Sequence, residues 1–206
     1  MEAQLAIDPL TKEIEVKNYR VSQDLVNVFP ALEEDQKAKT IYDYYYWNHI
    51  KEVKEEVVGK LVGTLDRYTT FGNLVVKTMY NTMEDQSIVA AVHNYGGIRV
   101  PSIPEGKVTY GDIYKALPFD NDLVVLEVSG ATLQTLMVDS DNVAYSTIPA
   151  NELVATNRYK VVTISYLSEK LPSALIYSQT STFVYVRDIV AELFREQKTV
   201  RASDYR

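Results

Sequence analysis

Two short segments carry most of the chemistry this chain can offer. In His93-Asn94-Tyr95-Gly96-Gly97-Ile98-Arg99 a side-chain amide, a double glycine and an arginine follow one another, and Leu117-Pro118-Phe119-Asp120-Asn121 sets an aromatic ring on a proline turn. Paired glycines let backbone amides approach a bound group and permit positive φ. The arginine beyond them offers a planar fork that matches phosphate or carboxylate oxygens. Asn94 can fix the loop or bind a hydroxyl, and Phe119 can present a flat face to a base or sugar. Together these residues describe a site that holds an anion beside a ring.

The chain offers no reactive group to act on such a ligand. It has no cysteine, which removes thiol nucleophiles, thiolate metal sites and disulfides. Its two histidines, His49 and His93, are too few for most zinc or binuclear hydrolase centres. Asp24, Asp35 and Asp43 stand in no ligand spacing. No serine, histidine and acid form a recognisable nucleophile–base pattern. His93 is expected to be a packed, hydrogen-bonded residue, and Asp112 a helix-start residue.

With 206 residues, 46% of them hydrophobic and 24% charged, the chain has the make-up of a globular domain with a real core. A net charge of −7 without any basic stripe argues against a nucleic-acid partner, because binding phosphate backbones needs clustered Lys and Arg. No apolar run approaches the roughly 20 residues of a membrane-spanning helix. The acidic start, Met1 to Asp8, does not read as a signal peptide. Tyrosine is abundant at 16 residues, and most of these rings are expected on half-buried faces. The run Tyr42-Asp43-Tyr44-Tyr45-Tyr46-Trp47 is expected to pack on its own domain rather than serve as a contact surface.

The elements that must position these residues follow from hydropathy periods. Leu5 to Val28 alternates as one or two strands around the turn-prone Asp8-Pro9, and Phe29-Pro30 closes that stretch. Glu33-Glu34-Asp35 places negative charge before a helix from about Lys37 to Val57, with Tyr46, Ile50, Val53 and Val57 on one face. Gly59 and Gly63 end it around a short strand, Lys60 to Thr64. A helix follows Gly72, and Ser87 to Val92 is an apolar strand that delivers His93 and Asn94 to a loop at its C-terminal end. Thr109-x-x-Asp112 has the form of a capping box. Leu123 to Val128 and Arg158 to Tyr166 read as strands, Ser129 caps a helix, and Phe183 to Phe194 is a closing amphipathic helix with Val186, Ile189, Val190 and Leu193 inward. The expected fold is a multilayer mixed α/β (α+β) domain, a mixed sheet flanked by helices, over residues 36–206, with residues 1–35 as a strand-like extension or linker.

Taken in order, several blocks resemble the C-terminal domain of the 5′-nucleotidase family. They are Phe71-Gly72-Asn73-Leu74, Asn94-x-Gly96-Gly97-Ile98-Arg99, Gly106-x-Val108-Thr109-Tyr110-Gly111-Asp112-Ile113-Tyr114, Leu117-Pro118-Phe119-x-Asn121, Leu126-x-Val128-x-Gly130-x-x-Leu133 and Tyr159-Lys160-Val161-Val162-Thr163. The resemblance spans residues 56 to 170, and the Phe29-Pro30 segment with the helix after it resembles the connection leaving the family's catalytic domain. It implies a domain that grips a nucleotide for a metallophosphatase domain or chain, which supplies the divalent metals; this chain itself needs no cofactor. By position it assigns substrate contacts to Asn94, Gly96, Gly97, Arg99, Phe119 and Asn121, and to Tyr166 as a second stacking ring. It also implies a periplasmic, secreted or cell-surface setting.

Three departures accompany the resemblance. The family closes its site with a Gly-Gly-Asp motif, where this chain has Glu169-Lys170-Leu171-Pro172. A further family arginine falls on Leu65, with Arg67 out of register. The family's metal-binding motifs have no counterpart. Two readings follow: the recognition domain of a 5′-nucleotidase-like hydrolase, split from or joined to its metal-bearing half, or a diverged binding module that keeps the fold without the nucleotide.

Overall fold

The structure is a computed structural model that describes residues 2–7, 14–20 and 35–206. The chain forms two compact units, Met1–Tyr44 and Tyr45–Arg206. In the first, β1 (Glu2–Ile7) and β2 (Ile14–Arg20) pair antiparallel, in keeping with the alternation of that stretch. The Asp8-Pro9 turn, Phe29-Pro30 and Glu33-Glu34 lie outside the described residues. Helix α1 (Gln36–Tyr45) is capped by Asp35, whose carboxylate accepts the backbone N–H groups of Lys37 and Ala38 at 2.9 Å. Aspartate is well suited there because the first N–H groups of a helix have no partner within it.

The helical path continues through a wider turn, Tyr46–Ile50, into α2 (Lys51–Glu55). It stops two residues before the expected end, because Glu56 leaves helical geometry (φ −54°, ψ 119°) and Val57 joins a sheet opposite Thr109. The shared apolar face is only partly covered: Tyr46 is partly buried, and Ile50, Val53 and Val57 are each about half exposed. Tyr45 and Trp47 are also more than half exposed. The Lys51 ammonium lies 4.0 Å from the Trp47 ring centre.

In the second unit, β3 (Val57–Val62) begins ahead of the expected strand and runs straight through Gly59. A Cβ at Gly59 would fall 2.8 Å from the Phe194 carbonyl, so the glycine serves close packing rather than a chain break. Next come β4 (Leu65–Asp66), α3 (Gly72–Thr82), β5 (Ala90–Asn94), β6 (Ser102–Ile103) and β7 (Gly106–Thr109). Helix α4 (Tyr110–Ala116) carries the full capping box: Thr109 accepts from the Asp112 N–H, and Asp112 accepts from the Thr109 N–H. Then follow β8 (Asp122–Ser129), α5 (Gly130–Val138) capped by Ser129, β9 (Asn142–Ser146), β10 (Arg158–Ile164), α6 (Ser165–Lys170), β11 (Ile176–Tyr185), α7 (Val186–Gln197) and β12 (Thr199–Arg201).

The central sheet has the order β11-β8-β10-β5-β9; only β10 and β5 run parallel. A smaller sheet has the order β12-β3-β7, and β4 pairs with β6. Period-two alternation divides the central strands between two cores. Ala91, Leu123, Val162 and Ile164 face a larger core with Phe71, Leu74, Met79 and Phe194, from α3, α7 and the turn before α3. Val92, Leu126, Val128 and Val161 face a smaller one with Leu133 and Leu136 of α5. The result is a mixed α/β domain with helices on both faces of a mixed sheet, as the hydropathy pattern implied.

The closing helix keeps its expected inward residues: Val186, Ile189 and Val190 are buried and Leu193 partly so. It starts three residues later than its pattern suggested, since Phe183 to Tyr185 finish β11.

Candidate functional site

The register of the central sheet gathers the site at one end. β5 ends at Asn94, opposite the start of β9 at Asn142, and β10 ends at Ile164, opposite Leu123 near the start of β8. Carrying the β5–β10 register (Ala91 with Val162) forward brings Asn94 level with Ser165, the first residue of α6. Asn121, just before β8, accepts a 3.5 Å hydrogen bond on Oδ1 from the Ser165 hydroxyl. Residues far apart in sequence therefore meet because one strand from each segment terminates at the same rim.

The Asn94–Arg99 loop is built by exclusion of volume. His93 is 1% exposed, its Nδ1 lies 2.8 Å from the Asn94 carbonyl oxygen, and burial lowers its pKa to about 4. The imidazole is therefore neutral near pH 7, a packed residue as expected and not an acid–base group. The double glycine does not use the positive φ that glycine allows; among the described glycines only Gly63 and Gly106 do. Space is the reason for both. A Cβ on Gly97 would lie 2.5 Å from Cε1 of His93, and one on Gly96 would lie 2.9 Å from Nδ2 of Asn94.

Arg99 then runs alongside the end of α4, where its backbone N–H donates to the Ala116 carbonyl at 2.8 Å. That single bond ties the two motifs together. It brings the exposed Arg99 guanidinium to 5.7 Å from the centre of the Phe119 ring, which is itself about half exposed. A cation and an aromatic face thus stand side by side at the surface.

Asn94, Gly96 and Tyr166 line a different part of the rim, a cleft of about 540 Å³. Asn94 Oδ1 is buried there and, among the described residues, has no hydrogen-bond partner. Tyr166 projects from α6 with the Lys170 ammonium 4.2 Å from its ring centre. Arg99, Phe119 and Asn121 do not line this cleft, and Gly97 is buried beneath the loop. The seven residues assigned from sequence therefore form two adjoining groups, with Asn121 reaching the α6 side through Ser165.

Arg67, out of register with the family arginine in the sequence, also lines the cleft. Its Nε and Nη2 donate to the Tyr95 carbonyl at 3.1 and 2.6 Å, and the Tyr95 hydroxyl donates to the Tyr68 carbonyl at 3.1 Å. A motif register that points to Leu65 misses it, because Leu65 is fully buried while the arginine two places on lines the cleft with Lys170, Asp139 and Asp141. Among the described residues, no three or more His, Cys, Asp or Glu side chains are grouped so as to hold a metal ion. These residues do not fit the divalent metals implied by the resemblance. No helix among the described residues is long and apolar enough to cross a membrane.

Comparison with known proteins agrees with this architecture. Residues 57–149 match the family model for the 5′-nucleotidase C-terminal domain. The probable 5′-nucleotidase of Treponema pallidum (strain Nichols) is 36% identical over 69 residues, 32% of this chain and 12% of that protein. Endonuclease YhcR of Bacillus subtilis (strain 168) is 30% identical over 142 residues, 64% of this chain and 11% of that protein. The chain thus spans only a small part of these curated relatives. In fold, it resembles the 5′-nucleotidase precursor of Thermus thermophilus, with a TM-score of 0.65 at 21% identity over 81% of this chain and 41% of that one. Residues 57–149, which hold Asn94, Arg99 and Phe119, are thus similar to the 5′-nucleotidase C-terminal domain, and the fold around them is shared with a 5′-nucleotidase precursor.

Proposed function

We propose that this domain is the recognition half of a 5′-nucleotidase-like hydrolase, gripping a nucleoside phosphate and orienting it toward a metallophosphatase domain or partner chain. The observation that carries the reading is the Arg99–Phe119 pair, a guanidinium 5.7 Å from an exposed ring. A nucleotide presents the complementary pair, an anion and a flat base. Asn94, with a free buried oxygen, and Asn121 would meet sugar hydroxyls, and Tyr166 would flank the base. Divalent metals belong to the catalytic partner in this reading, and the domain itself needs no cofactor. Its contribution to rate is positioning. A periplasmic, secreted or cell-surface setting goes with the same reading.

One observation favours the second reading, a diverged module without a nucleotide. Lys170 stands over the Tyr166 ring, on a face that would otherwise be free to stack, and the segment after it is Leu171-Pro172 where the family has Gly-Gly-Asp. Calorimetric titration with AMP, adenosine and UMP separates the two. The recognition reading expects binding of the monophosphates, weakened roughly tenfold by Arg99→Ala or Phe119→Ala. Absence of any heat up to millimolar ligand would leave the diverged module as the better description.

A further inference from the structure

We infer that Arg187, at the start of α7, is a positioning residue that fixes the Phe119 ring from behind by holding Asp120; the inference rests on the recognition reading above. Arg187 is only 8% exposed. Its guanidinium hydrogen-bonds the Asp120 carboxylate through Nη2 and lies 4.7 Å from the Tyr114 ring centre and 5.6 Å from that of Tyr185. Among the described residues its buried Nε and Nη1 have no hydrogen-bond partner, although Asp188 Oδ1 lies 3.9 Å from Nε.

Burying this cation costs desolvation, which Asp120, Asp188 and Tyr110 around it offset, so that the guanidinium is held more firmly charged than in water. The first turn of a helix is also where its dipole disfavours positive charge. What the arrangement does achieve is a fixed point for the loop. The Asp120 side chain is 72% exposed and would otherwise be free. The next residue is held too, since the Val186 N–H donates to the Asn121 carbonyl at 3.1 Å. Phe119 therefore sits between two tethers: Arg99 beside its ring, and Arg187 anchoring the residue that follows it.

The test uses Asp120→Asn, because substituting the buried arginine itself risks unfolding the domain. Trp47 is the only tryptophan, so a chain carrying Trp47→Phe and Phe119→Trp has one fluorophore, placed at the site. Adding Asp120→Asn to it should lower the anisotropy of that introduced indole and raise its acrylamide quenching about twofold, with little change in thermal melting. Unchanged anisotropy and quenching would overturn the inference, whatever the domain binds. In the native background, Asp120→Asn should weaken AMP binding roughly fivefold, and should have no effect once Phe119 is replaced by alanine. Equal weakening in both backgrounds would also overturn it. If the unmodified chain binds no nucleotide, the recognition reading fails, and the fluorescence result still decides whether the tether operates.

Discussion

The imidazole of His93 and the α-carbon of Gly97 share a contact so close that one added methyl group would lie 2.5 Å from the ring. Neither side can give way. The ring is buried at the end of β5, and the glycine is held in the turn that leads to Arg99. Gly97→Ala should therefore destabilise the domain by about 1–3 kcal/mol, the usual range for overpacking, as read by urea denaturation. A change within the error of the wild-type midpoint would refute the volume argument.

The same histidine sets a pH dependence. Its folded pKa of about 4 lies below the ordinary 6.5, so between these values the unfolded chain binds a proton that the folded chain does not. His93 thus costs no stability above about pH 6.5, and the penalty grows as pH falls toward 4. At pH 5 it should be about 2 kcal/mol relative to pH 7.5. Denaturant melts of wild type and His93→Gln at both pH values isolate the effect: the variant should lose that much less stability on acidification. Parallel losses in the two proteins would show that the imidazole titrates normally.

Asn94 should separate binding from folding. Its side-chain oxygen is buried without a partner among the described residues, so removing it relieves a desolvation penalty. Asn94→Ala is expected to change stability by less than about 1 kcal/mol and, on the proposed recognition role, to weaken nucleotide affinity severalfold. Scanning calorimetry alongside titration with AMP reads both. A large loss of stability would mean that the amide is a structural tie of the loop.

Thr109 closes the capping box that starts α4, the helix whose far end receives Arg99. Thr109→Ala should cost about 1 kcal/mol in chemical denaturation, and Thr109→Ser should recover most of it. If serine performs no better than alanine, the hydroxyl is not what holds the helix end.

Some of this was legible in the sequence because it is local. The Thr109–Asp112 box, the Ser129 cap and the inward row of α7 need only residues close to one another along the chain, and short apolar runs sufficed for β8 and β10. What escaped depends on distant partners. The polar, exposed β11 has no apolar period, since it is an edge strand that gains its ladder from β8. Ile50, Val53 and Val57 have a helical apolar spacing, yet they are about half exposed, and Val57 belongs to β3 because the chain leaves helical geometry at Glu56. Arg187 reads as an ordinary solvent-facing charge of an amphipathic helix. Only the fold shows that Asp120 waits for it, 67 residues earlier in the chain. The glycine pair was visible, but its reason was not: crowding by His93 and Asn94 is a property of the folded loop.

Strand β8 alternates between the two cores, with Leu123 packed on one face of the sheet and Leu126 and Val128 on the other. It is thereby held from above and below along most of its length, and the rim residues at its start inherit that stiffness. On the proposed recognition role, a molecule arriving there would meet a rim whose β8 side is packed on both faces. Capture would then need little reordering of the protein, and the rate of association would be governed by diffusion and by the charges at the rim.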